Sequence, residues 1–169
     1  SEASAYGCDW TFSPMVDIAH DPRWGRIAEG YGEDPYLTGI LGASAVKGFQ
    51  GSNLKSDTSI VACMKHFVGY GAAMGGRDYQ YTDISMRSLY EVYLPSFKAG
   101  IGAGALTVMS SFNDINGIPS TANKKLLRGI LKDDWGFNGF VVSDWESIKE
   151  LMIHGIAADG NDASVLAVK

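Results

Sequence analysis

The sequence has 169 residues, of which 46% are hydrophobic and 20% charged, and this composition is that of an ordinary globular domain and not of a disordered chain. The formal net charge of −5 provides no basic surface for nucleic acid or for an anionic membrane. No apolar run approaches the ~18 residues that a membrane span requires. We therefore expect a small or neutral ligand, no nucleic-acid partner and no membrane span.

Short apolar runs alternate with segments of helical periodicity along the chain. The runs typical of strands are 10–19, 59–67, 105–113 and 139–145. The segments typical of helices are 34–50, 84–101, 121–136, 146–155 and 162–169. Thr121 is the expected N-cap of the third helix. Strands alternating with helices at intervals of roughly 40 residues indicate βα units and a parallel sheet.

Polar side chains follow the end of every predicted strand. They are His20, Asp21, Arg23 and Arg26, then Lys65 and His66, then Ser110, Ser111 and Asn113, and finally Ser143 and Asp144. Polar, potentially functional side chains at successive strand ends are typical of a (β/α)8 barrel. A doubly wound sheet would instead carry a glycine-rich nucleotide-binding loop after a strand, and the stretch 71–76 does not have its spacing. The predicted fold class is α/β, a partial (β/α)8 TIM-like barrel with parallel strands. A complete barrel needs about 250 residues, so we expect it to be incomplete at both ends.

Each of these clusters also has a purely structural interpretation. Lys65 can be a solvated surface lysine and His66 a core histidine bonded to a backbone carbonyl. Asp144 can be the N-cap of a helix that begins near Glu146. The arginines of "DPRWGR" can lie on a surface turn. The residues alone leave these alternatives open.

No residue set predicts a metal or an organic cofactor. The histidines at positions 20, 66 and 154 have neither HxxxH nor HExxH spacing, and Cys8 and Cys63 form no CxxC pair. Cys63 lies inside an apolar run, which indicates a buried free thiol.

Four stretches, in order and covering nearly the whole chain, resemble glycoside hydrolase family 3, the retaining β-glucosidases and their relatives. They are "FSPMVDIAHDPRWGRIAEGYGEDPYLTG", "KHFVGYGAAMGGRDY", "VMSSFNDINGIPS" and "LLRGILKDDWGFNGFVVSDWESIKEL". The resemblance implies that residues 1–169 are a single partial domain, the N-terminal barrel of such an enzyme. It also implies a C-terminal α/β sandwich domain that is absent from this chain.

The resemblance assigns roles to six residues. Asp144, in the "SDW" motif, is implied to be the catalytic nucleophile. The residues implied to bind the sugar are Arg26, Lys65, His66 and Arg77 at the hydroxyls of the −1 subsite, and Trp145, which stacks on the next sugar. Phe112 stands where many members carry a tyrosine near the nucleophile.

The implied activity is that of a retaining, exo-acting β-glucosidase that removes terminal non-reducing β-D-glucosyl residues by double displacement. The alternatives are a β-xylosidase or exo-β-glucanase of the same family, and a non-catalytic carbohydrate-binding barrel module. The partner expected is a small oligosaccharide or β-glucoside.

The acid/base of this mechanism is expected outside the chain. The carboxylates considered for it within the chain are Glu29, Glu33, Asp34 and Glu146, and we expect none of them to serve. The chain alone is therefore expected to be nearly inactive.

The loop that follows Lys65 and His66 bears on substrate and location. A branch of the family that cleaves N-acetylglucosaminides carries a histidine acid/base in this loop, and here no histidine follows His66 until His154. The "GGRDY" version resembles bacterial periplasmic and secreted β-glucosidases. By this resemblance we expect a periplasmic or secreted protein.

Overall fold

The computed structural model describes residues 2–168, whose central element is a parallel sheet. The strands are β1 (Cys63–Phe67), β2 (Thr107–Ser110), β3 (Asp114–Ile115), β4 (Ile118–Pro119) and β5 (Phe140–Val142). β1, β2 and β5 pair in that order and in parallel, while β3 and β4 form a separate antiparallel hairpin. The three parallel strands are shorter than the apolar runs that predict them, but they lie within those runs.

The predicted first strand runs beside β1 without forming a continuous ladder. Only isolated parallel bridges join it, Trp10 with Val61 and Met15 with Lys65. The Val16 amide donates to the carbonyl oxygen of Lys65 at 2.8 Å. Four extended segments therefore lie side by side in chain order, as expected for successive βα units of a barrel.

Helices cover the sheet and connect its strands. They are α1 (Glu2–Ala5), α2 (Pro35–Gln50), α3 (Met86–Ser88), α4 (Leu94–Gly102), α5 (Glu150–Ile153) and α6 (Gly160–Val168). Leu89–Tyr93, which is π-helical, joins α3 to α4, and a second π-helical segment spans Lys125–Asp134. No helix within residues 2–168 is long and apolar enough to cross a membrane.

Helix α2 begins where the sequence provides both a cap and a proline. The Asp34 carboxylate accepts from the Leu37 amide at 2.6 Å, and Pro35 occupies the first turn, where its missing N–H costs no hydrogen bond. Inside the helix, Gly42 lies against the sheet. A Cβ there would approach Val16 Cγ1 to 2.6 Å, so glycine allows the close packing of α2 on the first extended segment.

Two local predictions are wrong. Thr121 does not cap the third helix, because Asn123 Oδ1 accepts from the Leu126 amide at 3.2 Å while the Thr121 hydroxyl bonds to Ser110 and Ser147. The helix predicted at 146–155 is reduced to α5, because residues 145–149 form turns. The last predicted helix begins earlier, at Gly160, and Lys169 lies outside the described residues.

Candidate active site

The carboxyl ends of β1 and β5 bring two predicted site residues together. His66 lies within β1, and Asp144 follows β5 by two residues. The ring Nε2 of His66 is 3.4 Å from Asp144 Oδ2. Because β2 lies between these strands, the contact requires a curved sheet whose concave side holds both side chains, as the interior of a barrel does.

Asp144 is held by the chain that follows it. Its Oδ1 accepts from the Trp145 amide at 2.7 Å, and its side chain is only 13% exposed. Its Oδ2 is buried and has no hydrogen-bond partner among residues 2–168. The alternative of a helix N-cap is wrong, because α5 begins only at Glu150. The pKa of the Glu150 carboxyl is raised by burial and by the negative charges of Asp144 and Glu146.

His66 is anchored by a carboxylate that the sequence-based assignment missed. The His66 amide donates to Asp17 Oδ2 at 3.0 Å, and the ring Nδ1 lies 2.8 Å from the same oxygen. His66 is 1% exposed and Asp17 is 2% exposed. The partner of the histidine is thus a carboxylate and not the backbone carbonyl of the structural alternative. The Lys65–His66 peptide bond is cis, and the register of β1 against β2 shifts between Met64 and Phe67.

One feature of the sequence indicates that Asp17 has a special role. It is the only charged residue of the apolar run 10–19, all of whose residues from 14 to 19 are buried. A charge in such a run has to be paired, because an isolated buried carboxylate is strongly disfavoured. The sequence therefore allowed a paired acid to be expected at this position, although not the identity of its partner.

Arg26 and Lys65 meet on a second carboxylate, Glu29. Arg26 Nε lies 2.7 Å from Glu29 Oε1, a second guanidinium nitrogen lies 3.0 Å from Oε2, and Lys65 Nζ is 3.5 Å from Oε2. The side chain of Lys65 is 16% exposed, so the solvated-lysine alternative is wrong. The Arg26 guanidinium also lies 5.6 Å from the centre of the Tyr70 ring.

The charges of this cluster shift each other's titration. Hydrogen bonding to Arg26 lowers the pKa of Glu29, against the opposing effect of burial. Burial disfavours the charged form of Arg26, but the bond and charge of Glu29 outweigh it and raise its pKa. Glu29 is therefore kept ionised, which is the opposite of what a general acid at neutral pH needs.

Two of the predicted residues lie outside these contacts. Arg77 is exposed, and within residues 2–168 its side chain makes no hydrogen bond or ion pair. Trp145 is 79% exposed. Asp78, the next residue, accepts a hydrogen bond from the Tyr70 hydroxyl. The Tyr70 ring packs edge-on to His66, with the ring centres 5.2 Å apart.

Cys63 begins β1 and lies close enough to the site to respond to its charges. It is fully buried, and burial raises the pKa of its thiol to about 11. Thr107 and Lys65 act in the lowering direction and Asp144 in the raising direction. Within residues 2–168 no group of three histidine, cysteine, aspartate or glutamate side chains is arranged to hold a metal ion.

Comparison with known proteins identifies the domain in which this site lies. The profile of the Glycosyl hydrolase family 3 N terminal domain matches residues 1–169. The chain belongs to glycosyl hydrolase family 3. Curated relatives in the family include the periplasmic beta-glucosidase of Salmonella typhimurium, 47% identical over 99% of this chain, and a beta-xylosidase of Formosa agariphila, 41% identical over 99%. The chain spans 22% and 24% of the lengths of these two proteins.

Solved structures of glycosyl hydrolase family 3 members confirm the predicted partial (β/α)8 barrel. A mutant beta-glucosidase of Listeria innocua in complex with laminaribiose superposes with a TM-score of 0.94 at 44% identity, over 98% of this chain and 23% of that one. A beta-glucosidase involved in saponin metabolism, from intestinal bacteria, has a TM-score of 0.95 at 40% identity, over 99% of this chain and 22% of that one. The Listeria enzyme is also known in complex with glucose.

Proposed function

We propose that this chain is the N-terminal barrel part of a longer, retaining, exo-acting β-glucosidase. Residues 1–169 then form one partial domain, and the C-terminal α/β sandwich domain lies elsewhere in the same polypeptide. The relatives from Salmonella and Listeria, both beta-glucosidases, support this choice of activity. The substrate we propose is a small oligosaccharide or another β-glucoside.

The observation that carries the proposal is the state of Asp144 Oδ2. This oxygen is buried beside His66 without a hydrogen bond inside residues 2–168, at the end of a barrel strand. Catalytic groups of such barrels stand at the carboxyl ends of strands. A carboxylate oxygen that accepts no hydrogen bond from the protein is suited to attack an anomeric carbon.

The reaction then proceeds in two displacements. In the first, Asp144 Oδ2 forms a bond to the anomeric carbon while the glycosidic C–O bond breaks, and a general acid gives its proton to the departing oxygen. In the second, water attacks the same carbon, the ester bond to Asp144 breaks, and the conjugate base of the acid takes a proton from the water. Two inversions give net retention of configuration.

We propose that the general acid comes from outside this chain. Glu29 has a lowered pKa, Asp34 caps α2, and Glu146 is ion-paired with Lys149. Glu150 has a raised pKa, as an acid needs, and for that reason it is tested directly. In the full-length enzyme Glu150→Gln should retain turnover within a few-fold. A loss as large as that of Asp144→Ala would place the acid in this chain.

Sugar recognition is proposed for the cations and the aromatic side chain of the site. Lys65 carries three donors, and its pairing with Glu29 at 3.5 Å leaves donors for a hydroxyl. His66 and Arg26 stand beside it, and we propose them for the same −1 sugar. We propose Arg77 for the hydroxyls of the same sugar, as the resemblance implies, and Trp145, whose indole face is exposed, for stacking on the next sugar.

A β-xylosidase is the second candidate. The Formosa agariphila relative, whose name is that activity, matches 99% of this chain at 41% identity. Glucose differs from xylose by one CH₂OH group, and an apolar pocket discriminates a single methylene by only about 1–3 kcal/mol. Measuring kcat/KM for aryl β-glucoside and β-xyloside decides between them. A preference for the xyloside would overturn the glucosidase assignment.

The proposal is tested on the full-length protein with Asp144→Ala. Turnover of an aryl β-glucoside should fall by several orders of magnitude while the melting temperature stays close to that of the wild type, and the wild type should release the β-anomer first. Full activity in a folded Asp144→Ala variant, or initial release of the α-anomer, would refute a retaining mechanism with this nucleophile.

We also propose a periplasmic or secreted location. The support is the Salmonella relative, which is named a periplasmic beta-glucosidase and shares 47% of its matched residues with this chain. Cell fractionation with activity staining of the extracytoplasmic fraction tests this location.

A further inference from the structure

We infer that Asp17 is a positioning residue, which fixes the imidazole of His66 against the carboxylate of Asp144 and so sets the rate at which that carboxylate attacks. The inference rests on the proposed function, since it assigns Asp17 a part in the glycosylation step. None of the sugar-binding roles proposed above involves Asp17.

Both hydrogen bonds of the Asp17 side chain are formed with His66. Oδ2 accepts from the His66 amide at 3.0 Å and lies 2.8 Å from ring Nδ1, while Oδ1 is buried without a hydrogen bond within the described chain. Leaving half of a buried carboxylate unsatisfied is costly, and a residue needed only for folding would be better replaced by an apolar one. The two bonds on one oxygen fix both the backbone and the ring of His66, with the proton of Nδ1 facing Asp17.

With Nδ1 bound to Asp17, the other ring nitrogen of His66, Nε2, faces Asp144. Nε2 lies 3.4 Å from Asp144 Oδ2, an oxygen that has no hydrogen-bond partner in residues 2–168. Movement of the ring by one ångström would either break this contact or push Asp144 out of line. Misplacement of that size can lower a reaction rate about 100-fold, because attack requires an aligned approach.

The other charged and titratable groups around His66 do not duplicate this anchor. The Tyr70 ring packs on the imidazole edge-on and its hydroxyl is bonded to Asp78. The Glu29 carboxylate acts on His66 through its charge only, since it is bonded to Arg26 and paired with Lys65. Asp17 is the one of these groups that forms a hydrogen bond with His66.

The segment that carries Asp17 also forms a hydrogen bond with helix α4. The Ser96 hydroxyl on α4 donates to the Val16 carbonyl at 3.0 Å, and Ser96 is fully buried. Ser96→Ala therefore loosens the same segment without touching His66. It provides a control for effects that are merely structural.

The test uses the full-length enzyme and a 2-deoxy-2-fluoro-β-glucosyl fluoride, which traps the glycosyl ester and so isolates the first displacement. Asp17→Asn keeps an oxygen for both His66 contacts but removes the charge. We expect the first-order rate constant of inactivation to fall roughly 10- to 100-fold, with the inhibition constant changed less than about threefold. Ser96→Ala should lower the melting temperature without a selective fall in the rate constant of inactivation.

A double mutant shows whether Asp17 acts through His66. In a His66→Ala background, Asp17→Asn should cost less than about threefold in the inactivation rate, because the group it positions is gone. Fully multiplicative effects, or an Asp17→Asn enzyme that reacts at the wild-type rate, would overturn the inference. Failure of the wild type to be trapped at Asp144 would instead refute the proposed function.

Discussion

Two clusters of the site differ in how they are held. The inner cluster, Asp17, His66 and Asp144, is almost fully removed from water, and Asp144 is its most exposed side chain at 13%. The cation cluster, Arg26, Glu29 and Lys65, is partly open, with Glu29 43% exposed. Buried contacts are strong and expensive to break, whereas exposed ion pairs contribute little to stability. Changes in the inner cluster should therefore affect rate and stability together, and changes in the cation cluster should mainly affect binding.

Apart from replacement of the proposed nucleophile itself, the largest effect is expected for His66→Ala, which removes the centre of the inner cluster. It leaves Asp17 with a single donor in a buried site and opens a cavity, so the free energy of unfolding should fall by about 2–4 kcal/mol. The rate constant for glycosylation should fall about 100-fold or more. Denaturant unfolding and the trapping kinetics measure the two effects. A loss of activity without a loss of stability would break the contrast between the clusters.

A smaller effect, mainly on KM, is expected for Glu29→Gln. The substitution removes the anion that orients Arg26 and Lys65, so both cations should hold the sugar less firmly. We expect KM to rise about 3- to 10-fold with kcat changed less than threefold. Glu91→Gln is the matched control, because Glu91 also pairs with an arginine, Arg87, on an exposed helical surface and has no ion pair with the cation cluster. A fall in kcat with KM unchanged would show that the cation cluster also acts in the transition state.

The same variant gives a pH prediction with a defined sign. The pKa of Glu29 is lowered from 4.5 by Arg26, so its ionised form stabilises the fold above that pH, and the stabilisation is lost as the pH falls through the lowered value. The melting temperature of the wild type should exceed that of Glu29→Gln by a constant amount above about pH 5.5, and the gap should close in more acidic buffer. A gap that widens on acidification would contradict the assigned direction. Added salt should also narrow it, since the pair is partly exposed.

The smallest effect on stability is expected for Trp145→Ala. The indole is 79% exposed, so the free energy of unfolding should change by less than about 0.5 kcal/mol. Activity on a disaccharide should fall about 2- to 10-fold through lost stacking, while activity on β-glucosyl fluoride, which places no ring beyond the reacting sugar, should not change. Trp145→Phe should restore the disaccharide activity. Equal losses on both substrates would contradict a role limited to the next sugar.

The strands and the position of Asp144 could be predicted because their signals are local. Strands buried on both faces require continuous apolar runs, and the polar residue that ends such a run stands at the carboxyl edge of the sheet. β5 and Asp144 follow this rule. The helix boundaries around them were less accurate, because residues 145–149 turn to bury Ser147 against Thr121 before α5 begins. That contact depends on distant parts of the chain.

The partners of the site residues could not be predicted from the sequence. Asp17 is separated from His66 by 49 residues, and no local pattern in either stretch indicates that the two residues form a pair. Glu29 was considered only as an acid, although its place three residues after Arg26 allowed an ion pair to be expected. The resemblance placed Arg77 with three other residues at the −1 sugar, while the structure shows Arg77 exposed and the other three wholly or partly buried. Sequence patterns identify reactive residue types, but packing decides which of them are held rigidly.

The rate at which a thiol reagent modifies Cys63 measures the opening of the sheet. The chain has one exposed thiol, Cys8, and one fully buried in β1, whose pKa of about 11 leaves little thiolate at neutral pH. A thiol reagent should therefore modify Cys8 at once and Cys63 only when β1 separates from its neighbours. The rate of the second modification then reports the opening free energy of the strand that carries Lys65 and His66. A bound sugar that bridges β1 and β5 should slow this second reaction and leave the first unchanged.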